Sequence, residues 1–599
     1  MCGILSYYSK SYLKEREISE SLNSLSSVKH RGPDSEGVVL INTKTGDYKV
    51  LKTKDTPKDI TFKHSVRSEY NLLLGHRRLK IIDLTNFGHQ PMCYLKNWIS
   101  YNGEVYNYLE IKNELERNGY AFDSQSDTEV VLKAYHFWGD KCVEKFNGMW
   151  SFIIWDNNLK SIFISNDRFG VKPLYNFRNN ETCIYSSEIK QFDHFSKIKK
   201  TKNRVNFDLF LNHGYQPLDG TTYFNEINRF PCGSYRRFNF SNYKENNVHR
   251  FYSIEDIKIK NEWTFENALN VFKETLEDAI QLRYRSDVDL GISISGGIDS
   301  SLLVQFGVDI NQLKYNRKLK TFSAISPNMK GDESKFIFEV LRNYDLDSYF
   351  VNPYEKFNES DFLKFLKNLE FPPSTTSFFA QWLVSQLMSD NGVKVNLVGQ
   401  GADEVFGGYH SHYFKYFRSL ILKGDILKYF SEINAYSEIR EISKLSLHKI
   451  VISDVVTLSK FRLGLKKIDN KLLNYWNKIN DLTSFLKSDF STFQLPFYLH
   501  SDDRNSMHHS IETRHPFLDY RVVEFGYSLP NNYLLNNGWS KYILRMALND
   551  VLNAIKWRKD KKGYTLPNFE IIEKVIPNSS NRNLDFRKFC LNQILGYND

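Results

Sequence analysis

Residues 290–301, LGISISGGIDSS, have the composition of an anion-binding turn. The apolar run 290–294 is typical of a strand, and it leads directly into the glycine pair 296–297 and a helix predicted from near Asp299. Adjacent glycines let the backbone turn tightly and come close to a ligand. The first N–H groups of a helix have no partner inside it, and its dipole favours negative charge there. The segment therefore predicts a phosphate-binding loop.

This loop is not of the Walker type, because no lysine follows the glycines, and it lacks the spacing of the dinucleotide fingerprint. The string SGGIDSS resembles the pyrophosphate loop, or PP-loop, of the ATP pyrophosphatases, which cleave ATP between the α and β phosphates. The alternative is an ordinary glycine-rich turn capped by serines. The Asp-Ser-Ser that follows a predicted strand favours the nucleotide loop.

Cys2 is a second residue with potential chemistry. Removal of Met1 would leave a cysteine that carries a thiol and a free α-amine. An α-amine titrates near pH ~7.7–8.0 and can act as a local base for the thiol. The thiolate is the nucleophile, so such a residue needs no distant histidine. A cysteine at this position is more often incidental, and the following segments must decide.

Polar segments downstream suit the binding of an amide substrate; they are HRGPD at 30–34, GHRRLKIID at 75–83, NGE at 102–104 and SDTE at 126–129. Arg31 is suited to fork-like recognition of a carboxylate. Asn102 and the N–H of Gly103, after a strand predicted at 98–101, would form an oxyanion hole. Asp127 could hold a substrate ammonium, although helix capping is the structural alternative for its segment.

In this order and spacing, the segments resemble the class II glutamine amidotransferase domain over residues 2–205. The resemblance implies an N-terminal-nucleophile αββα sandwich in which Cys2 attacks the side-chain amide of glutamine. It assigns the oxyanion hole to Asn102 and Gly103. It assigns glutamine binding to Arg78, Leu79, Lys80, Ile81, Ile82, Asn102, Gly103, Glu104 and Asp127.

The second half of the chain alternates predicted helices and strands, which favours a parallel sheet. A helix is expected at 265–280, where apolar residues recur at helical spacing, and strands at 320–325 and 393–398. The last strand ends in GQGADE, whose glycines permit close approach and whose Asp403 is an oxygen ligand for a hard cation. Asp299 would share that Mg²⁺. The block 495–519 has the pattern of a buried helical core with paired ions.

With these motifs the chain resembles glutamine-hydrolysing asparagine synthetase over nearly its whole length. The resemblance implies an α/β multidomain fold: amidotransferase domain 2–205, connector 206–264, and a parallel-sheet ATP-pyrophosphatase domain with a helical C-terminal part at 265–599. It implies ATP and Mg²⁺, with the metal on Asp299 and Asp403 and Lys561 as catalytic lysine. The ATP contacts fall on Ser293, Ser295, Gly296, Gly297, Asp299, Ser300, Ser301, Ala324, Val398 and Gly399.

The activity implied is a two-site reaction. Glutamine hydrolysis releases ammonia, which passes through an internal channel to an acyl-adenylate formed from ATP and the β-carboxylate of aspartate. Gln400 stands where many family members have a catalytic Glu, and a neutral amide cannot act as a base. A different acceptor, such as a sugar uronate of surface polysaccharide, therefore stays open. A catalytically silent regulatory homologue is disfavoured because Cys2, Asp299 and Asp403 are all present.

Composition places limits on other classes of function. The chain has 599 residues, a length that predicts two to four domains, and 41% of them are hydrophobic, which is enough to form buried cores. The net charge of +10 is spread along the chain and suits anionic small molecules better than nucleic acid. Six scattered cysteines predict neither a zinc site nor a disulfide framework. No membrane span or secretory signal is evident, so a cytoplasmic protein is expected. The family suggests a homodimer.

Overall fold

The computed structural model describes residues 2–60, 69–239, 247–260, 262–315, 318–329, 332–462, 481–559, 568–577 and 581–596. The first thirteen strands are β1 (Gly3–Ser9), β2 (Ser35–Ile41), β3 (Tyr48–Leu51), β4 (Leu72–Arg78), β5 (Met92–Tyr94), β6 (Asn97–Val105), β7 (Gly148–Asp156), β8 (Ser161–Asn166), β9 (Tyr175–Arg178), β10 (Thr182–Ser186), β11 (Ile227–Arg229), β12 (Ser234–Asn239) and β13 (His249–Arg250). They form two antiparallel sheets, ordered β11-β9-β10-β1-β4-β2-β3 and β13-β12-β8-β7-β6-β5.

The two sheets pack face to face because each sheet presents apolar side chains to the other. Ile4 and Trp155 lie in the core between the sheets. The helices of this half are α1 (Glu15–Ser26), α2 (Tyr108–Arg117), α3 (Asp127–Trp138), α4 (Cys142–Lys145) and α5 (Arg204–His213). Leu25 of α1 covers the outer face of the first sheet, and Val131 of α3 covers that of the second. The predicted four-layer αββα sandwich is confirmed.

A third sheet is parallel throughout and consists of β14 (Leu290–Ser293), β15 (Leu319–Ala324), β16 (Leu346–Val351), β17 (Val395–Leu397) and β18 (Glu512–Arg514). Its order is β16-β15-β14-β17-β18, and β19 (Leu535–Asn536) and β20 (Trp539–Ser540) form a separate hairpin. The predicted parallel sheet is confirmed. The strand order reverses direction between β14 and β17, and ligands bind beyond the carboxyl ends of strands at such a switch point.

Helices surround this sheet and build the C-terminal part: α6 (Phe265–Arg283), α7 (Ile298–Tyr315), α8 (Ser334–Asn343), α9 (Glu359–Leu369), α10 (Ser377–Asp390), α11 (Ala402–Phe406), α12 (His410–Leu422), α13 (Ile426–Arg440), α14 (Lys444–Arg462), α15 (Leu482–Ser488), α16 (Leu495–His508), α17 (Tyr520–Ser528), α18 (Asn531–Leu534), α19 (Tyr542–Ala547), α20 (Asn553–Lys556), α21 (Asn568–Val575) and α22 (Arg582–Leu595). The predicted helix at 265–280 is α6, which buries Ala268, Phe272 and Leu276. Within the described ranges, no helix is both long and apolar enough to cross a membrane.

The structure differs from the sequence-based expectation in two places. Asn102 and Gly103 do not follow a strand but lie inside β6, which continues to Val105. In the segment predicted as a connector, β11 pairs with β9 and β12 pairs with β8, so both sheets of the sandwich end in strands from residues 206–264. These strands are short and polar, and their edge pairing rather than an apolar pattern defines them.

Candidate active sites

The first candidate site is a small cavity at the start of β1. It is lined by Cys2, Arg78, Leu79, Ile81, Ile82, Gln90, Tyr101, Gly103, Glu104, Ser126, Asp127, Thr128 and Glu512. Antiparallel pairing aligns Gly3 with Arg77, which places Cys2 beside the end of β4. Burial raises the pKa of the Cys2 thiol, while the backbone N–H of Leu79 and the charge of Arg78 act in the opposite direction.

Asn102 contacts Cys2 directly. The backbone N–H of Cys2 donates to Asn102 Oδ1 at 2.8 Å. Asn102 Nδ2 is buried and has no hydrogen-bond partner among the residues that the structure describes. Gly103 follows, and a Cβ there would lie 2.2 Å from the carbonyl oxygen of Met149. The strand therefore requires glycine at 103. The amide of Asn102, whose oxygen holds the Cys2 backbone, keeps an unused N–H donor of the kind that an oxyanion needs.

Asp127 is one of three buried acids that line this cavity, together with Glu104 and Glu512. It accepts hydrogen bonds on Oδ2 from the Tyr101 hydroxyl at 2.7 Å and from the Val105 N–H at 3.0 Å. Burial raises its pKa to about 6, and those two donors limit the rise. The capping residue of α3 is Ser126, whose hydroxyl accepts from the Thr128 N–H. Capping thus leaves Asp127 to face the cavity.

The glutamine-binding candidates do not all face the cavity. Lys80 and Asn102 are not among its lining residues. The ammonium of Lys80 donates to Leu84 O at 3.0 Å and to Asn86 Oδ1 at 3.2 Å. Arg78 lines the cavity and also donates to Thr85 O at 2.7 Å and Asp83 O at 2.5 Å. Arg78 therefore holds the loop that carries Leu79, Ile81 and Ile82 against Cys2.

The second candidate site is a cavity of about 170 Å³ at the switch between β14 and β17. Its lining residues are Ser293, Ser295, Gly297, Ile298, Asp299, Ser300, Gln381, Val384, Ser385, Asn396, Val398, Gly399, Gln400, Asp403, Asp502, Ser540, Lys541, Arg545 and Arg558. Ser295 also borders a smaller cavity that contains Ala324. Gly296, with a φ of +66°, turns the loop, and Ser301 lies beneath it, donating to Gly297 O at 2.8 Å. The predicted ATP-binding residues are thus brought together.

Two carboxylates in this cavity converge on one cation. Lys541 Nζ lies 2.5 Å from Asp299 Oδ2 and 2.7 Å from Asp403 Oδ1. Burial would lower the pKa of Lys541, but the two aspartates outweigh it and raise the pKa. Carboxylate oxygens gathered around a positive charge are the donor set that Mg²⁺ prefers. Asp299 and Asp403 therefore fit the predicted metal, and in this structure the ammonium of Lys541 is the positive charge between them.

Gly399 makes the approach of the two strand ends possible. A Cβ at this position would lie 2.7 Å from the Cβ of Asp299, so only glycine lets the turn after β17 meet the start of α7. Gln400, the next residue, lines the cavity beside it.

Several cavity residues were absent from the predicted site. They come from helices and loops that lie outside the glycine-rich turns after β14 and β17; they are Gln381, Asp502, Lys541, Arg545 and Arg558. A signal for Asp502 was the run of charged residues 502–504 inside a block that the sequence predicted as a buried core. Arg558 donates to Gly296 O at 3.2 Å, which no local pattern indicates. Lys561, predicted as catalytic, lies outside the described residues.

Arg31 was predicted to suit fork-like recognition of a carboxylate, and the carboxylates that it binds belong to the protein itself. It is fully buried, and its two terminal nitrogens donate to Asp503 at 2.7 and 2.8 Å and to Glu188 at 2.8 Å. Its Nε donates to the carbonyl oxygen of Cys2 at 3.0 Å. Because Asp503 lies on α16, Arg31 connects the cysteine cavity to the half of the molecule that contains the parallel sheet.

Comparison with known proteins agrees with this division. Residues 62–252 match the family described as glutamine amidotransferase domain, and residues 271–580 match the family described as asparagine synthase. A Methanocaldococcus jannaschii protein provisionally named asparagine synthetase (glutamine-hydrolyzing) 2 is 32% identical over 526 residues, covering 79% of this chain and 93% of its own. Asparagine synthetase (glutamine-hydrolyzing) 1 of Bacillus subtilis is 26% identical and covers 95% of this chain and 87% of its own.

A relative that is not named as an asparagine synthetase also matches. Amidase chry2 of Gibberella zeae is 24% identical and covers 95% of this chain and 89% of its own. The asparagine synthase match alone spans more than half of the chain, and the relatives match both halves together. The chain belongs to the glutamine-hydrolysing asparagine synthetase family.

Proposed function

We propose that this protein converts aspartate to asparagine, with glutamine as the nitrogen donor and ATP cleaved to AMP and pyrophosphate. Family membership establishes the general reaction, a glutamine-dependent amidation driven by ATP. The observation that supports the proposal is the pairing of two cavities in one chain, one at Cys2 and one at the β14/β17 switch point. Each cavity contains the groups that its half of the reaction needs.

At the first site the Cys2 thiolate attacks the side-chain amide carbon of glutamine. The unpartnered Nδ2 of Asn102 and the N–H of Gly103 would stabilise the oxyanion, an interaction whose loss typically costs a factor of about 100–1,000 in rate. Ammonia leaves, a thioester forms on Cys2, and water releases glutamate. Asp127 would bind the α-ammonium of glutamine and Arg78 its α-carboxylate.

At the second site the acceptor carboxylate attacks the α-phosphorus of ATP, and pyrophosphate leaves. The residue 295–301 turn would hold the pyrophosphate through its N–H groups and serine hydroxyls at the start of α7. Mg²⁺ held by Asp299 and Asp403 would neutralise charge on the phosphate oxygens. Lys541 and Arg545 add positive charge to the same cavity. The acyl-adenylate then reacts with ammonia.

A sugar uronate remains the alternative acceptor, because Gln400 lines this cavity at the position where the family resemblance implies a carboxylate. The test measures pyrophosphate release with ATP, glutamine and a panel of carboxylates that includes aspartate, glutamate, glucuronate and galacturonate. Aspartate should be the acceptor that stimulates release, with asparagine as product. Amidation of a uronate without asparagine formation would contradict the proposal.

A further inference from the structure

Formation of the amide from ammonia requires a proton acceptor. Ammonia adds to the carbonyl carbon of the acyl-adenylate, and the nitrogen must lose one proton before or as the amide forms. Gln400 cannot accept it, because a carboxamide is neutral and is not a base. The cavity must therefore provide another base if the proposed reaction is correct, and the following inference rests on that proposed function.

Three carboxylates line the cavity, and two of them are already occupied. Asp299 and Asp403 both contact the ammonium of Lys541 and fit a metal ion. Asp502 is the third, and among the described residues it has no lysine or arginine within ion-pair distance. Of the three carboxylates, Asp502 is therefore the one available to accept a proton in this cavity.

Asp502 is fixed by two neutral donors. Its Oδ1 accepts from Gln381 Nε2 of α10, and its Oδ2 accepts from His515 Nε2 at 3.2 Å. His515 has a pKa below its ordinary value because it is buried, although Asp502 opposes the shift. A neutral imidazole donor and an amide donor orient the carboxylate without removing its negative charge. The side chain is 4% exposed, so bulk water does not compete for its oxygens.

The position of Asp502 on α16 also relates the two sites. The side chain of the adjacent Asp503 points in a different direction and binds Arg31, which in turn binds the carbonyl oxygen of Cys2. Successive residues of one helix point about 100° apart, so α16 presents one carboxylate to each half of the molecule. The helix α16 thus lines the ATP cavity through Asp502 and, through Asp503 and Arg31, is linked to the backbone of Cys2.

We propose that Asp502 is the proton acceptor for amide formation, the role that the neutral side chain of Gln400 cannot fill. The ammonia nitrogen forms a bond to the acyl carbon, and the carbonyl electron pair moves to oxygen. The nitrogen gives one proton to an Asp502 oxygen. The electron pair then returns to reform the carbonyl, the bond from carbon to the adenylate oxygen breaks, and AMP leaves with that bonding pair. The products are the amide, AMP and a protonated Asp502.

The test compares the two half-reactions in Asp502→Asn, with ammonium as nitrogen source and the acceptor that supports exchange in the unmodified protein. Acceptor-dependent exchange of pyrophosphate into ATP should stay within twofold, because adenylation needs no base at this position. Amide formation should fall about 100-fold, the lower range for loss of a general base. Hydroxylamine, a better nucleophile that loses its proton more easily, should be far less affected than ammonia.

A matched control is Asp489→Asn. Asp489 is another buried aspartate, and it accepts from His412 Nε2 at 2.9 Å, but it does not line the cavity. Both half-reactions should be unchanged in this variant. In the double variant Gln400→Glu/Asp502→Asn, a carboxylate returns to the cavity, and amide formation should recover at least tenfold.

The outcomes separate the base from its alternatives. Equal loss of exchange and amide formation in Asp502→Asn, or a raised KM for the acceptor in exchange, would mean that Asp502 binds the acceptor and would overturn the proposal. Normal amide formation, or no recovery in the double variant, would also overturn it. A wrong acceptor is recognised independently, because the unmodified protein then shows no acceptor-dependent exchange.

Discussion

At the scale of single residues, Cys2 decides which nitrogen source the protein can use. Cys2→Ala should reduce glutamine-dependent amide formation to background, because Cys2 carries the only thiol that lines the first cavity among the residues the structure describes. Ammonium-dependent amide formation should remain, since the ATP cavity contains no part of that residue. Both rates are measured as AMP formed. Cys93→Ala is the matched control, because Cys93 is exposed. Loss of the ammonium reaction in Cys2→Ala would contradict separate sites.

Asp127 should set the acid limit of glutamine hydrolysis. With a pKa raised to about 6 by burial, its carboxylate is ionised above that pH and protonated below it. An ionised carboxylate attracts the α-ammonium of glutamine, so kcat/KM should fall tenfold per pH unit below about 6 and level off above it. Glutamate release across pH 4.5–8 checks this. Asp127→Asn should have a lower kcat/KM without that acid limb, and an unchanged limb would assign it to another group.

Sequence predicted the residues whose chemistry is local and missed those defined by distant partners. Cys2, Asn102 and the residue 295–301 loop were identified because type and spacing alone restrict their use. Arg31 was described only as suited to a carboxylate, because its partner Asp503 lies 472 residues away in the chain. Asp502 was left out of the predicted site because its contacts are also distant in sequence, such as the one with Gln381 at a separation of 121 residues. Residue type indicates what a group can bind, whereas the fold decides what it meets.

At the scale of elements, the turns after β14 and β17 must approach each other closely. Gly399→Ala would place a Cβ 2.7 Å from the Cβ of Asp299 and force the two turns apart. A misplacement of about 1 Å can cost about 100-fold in rate, so pyrophosphate exchange into ATP should fall by at least tenfold. Glutaminase activity of the same variant should be unchanged and is the internal control. Normal exchange would show that the turns adapt.

The elements that sequence predicted share strong local signals. Strands β14, β15 and β17 each contain buried apolar residues, such as Ile292, Phe322 and Leu397, and each is followed within two residues by serine or glycine. Helix α6 has a regular apolar face. By contrast, β18 carries Glu512 and Arg514, and the sequence predicted its block as a buried helical core with paired ions. The pairing is present, because Arg514 donates to Glu512 at 2.7 Å and both side chains are buried. The residues nevertheless form the edge strand of the sheet rather than a helix, and only their pairing with β17 defines it.

At the scale of the whole molecule, buried ions connect the sandwich to the parallel sheet. Arg514 lies 3.5 Å from Glu104, which lines the cysteine cavity, and Glu512 lines that cavity from the other half. Arg504 binds both Glu370 and Asp503. Such clusters are costly to desolvate and give orientation rather than large stability. Their placement between the cavities favours a role in holding the two sites in a fixed relative position.

Arg31 tests this role because it contacts both halves and Cys2 at once. Arg31→Met would remove the partner of a buried carboxylate, and breaking such a pair typically costs about 3–5 kcal/mol. Asp503 keeps Arg504 at 2.7 Å, so the loss of unfolding free energy should lie at the lower end. Because Arg31 also holds the Cys2 carbonyl, glutamate release should fall more than ammonium-dependent AMP formation. Denaturant titration and the two activity assays measure these effects.

The control for Arg31 is a second arginine that joins the halves at the surface. Arg285 pairs with Glu110 at 2.5 Å, and both side chains are partly exposed. Exposed pairs contribute about 0–1 kcal/mol, so Arg285→Met should change neither unfolding nor either activity appreciably. In Arg31→Met/Asp503→Asn the uncompensated charge is gone, and part of the lost stability should return. Equal effects of the two arginine variants would show that the buried cluster has no special role in joining the halves.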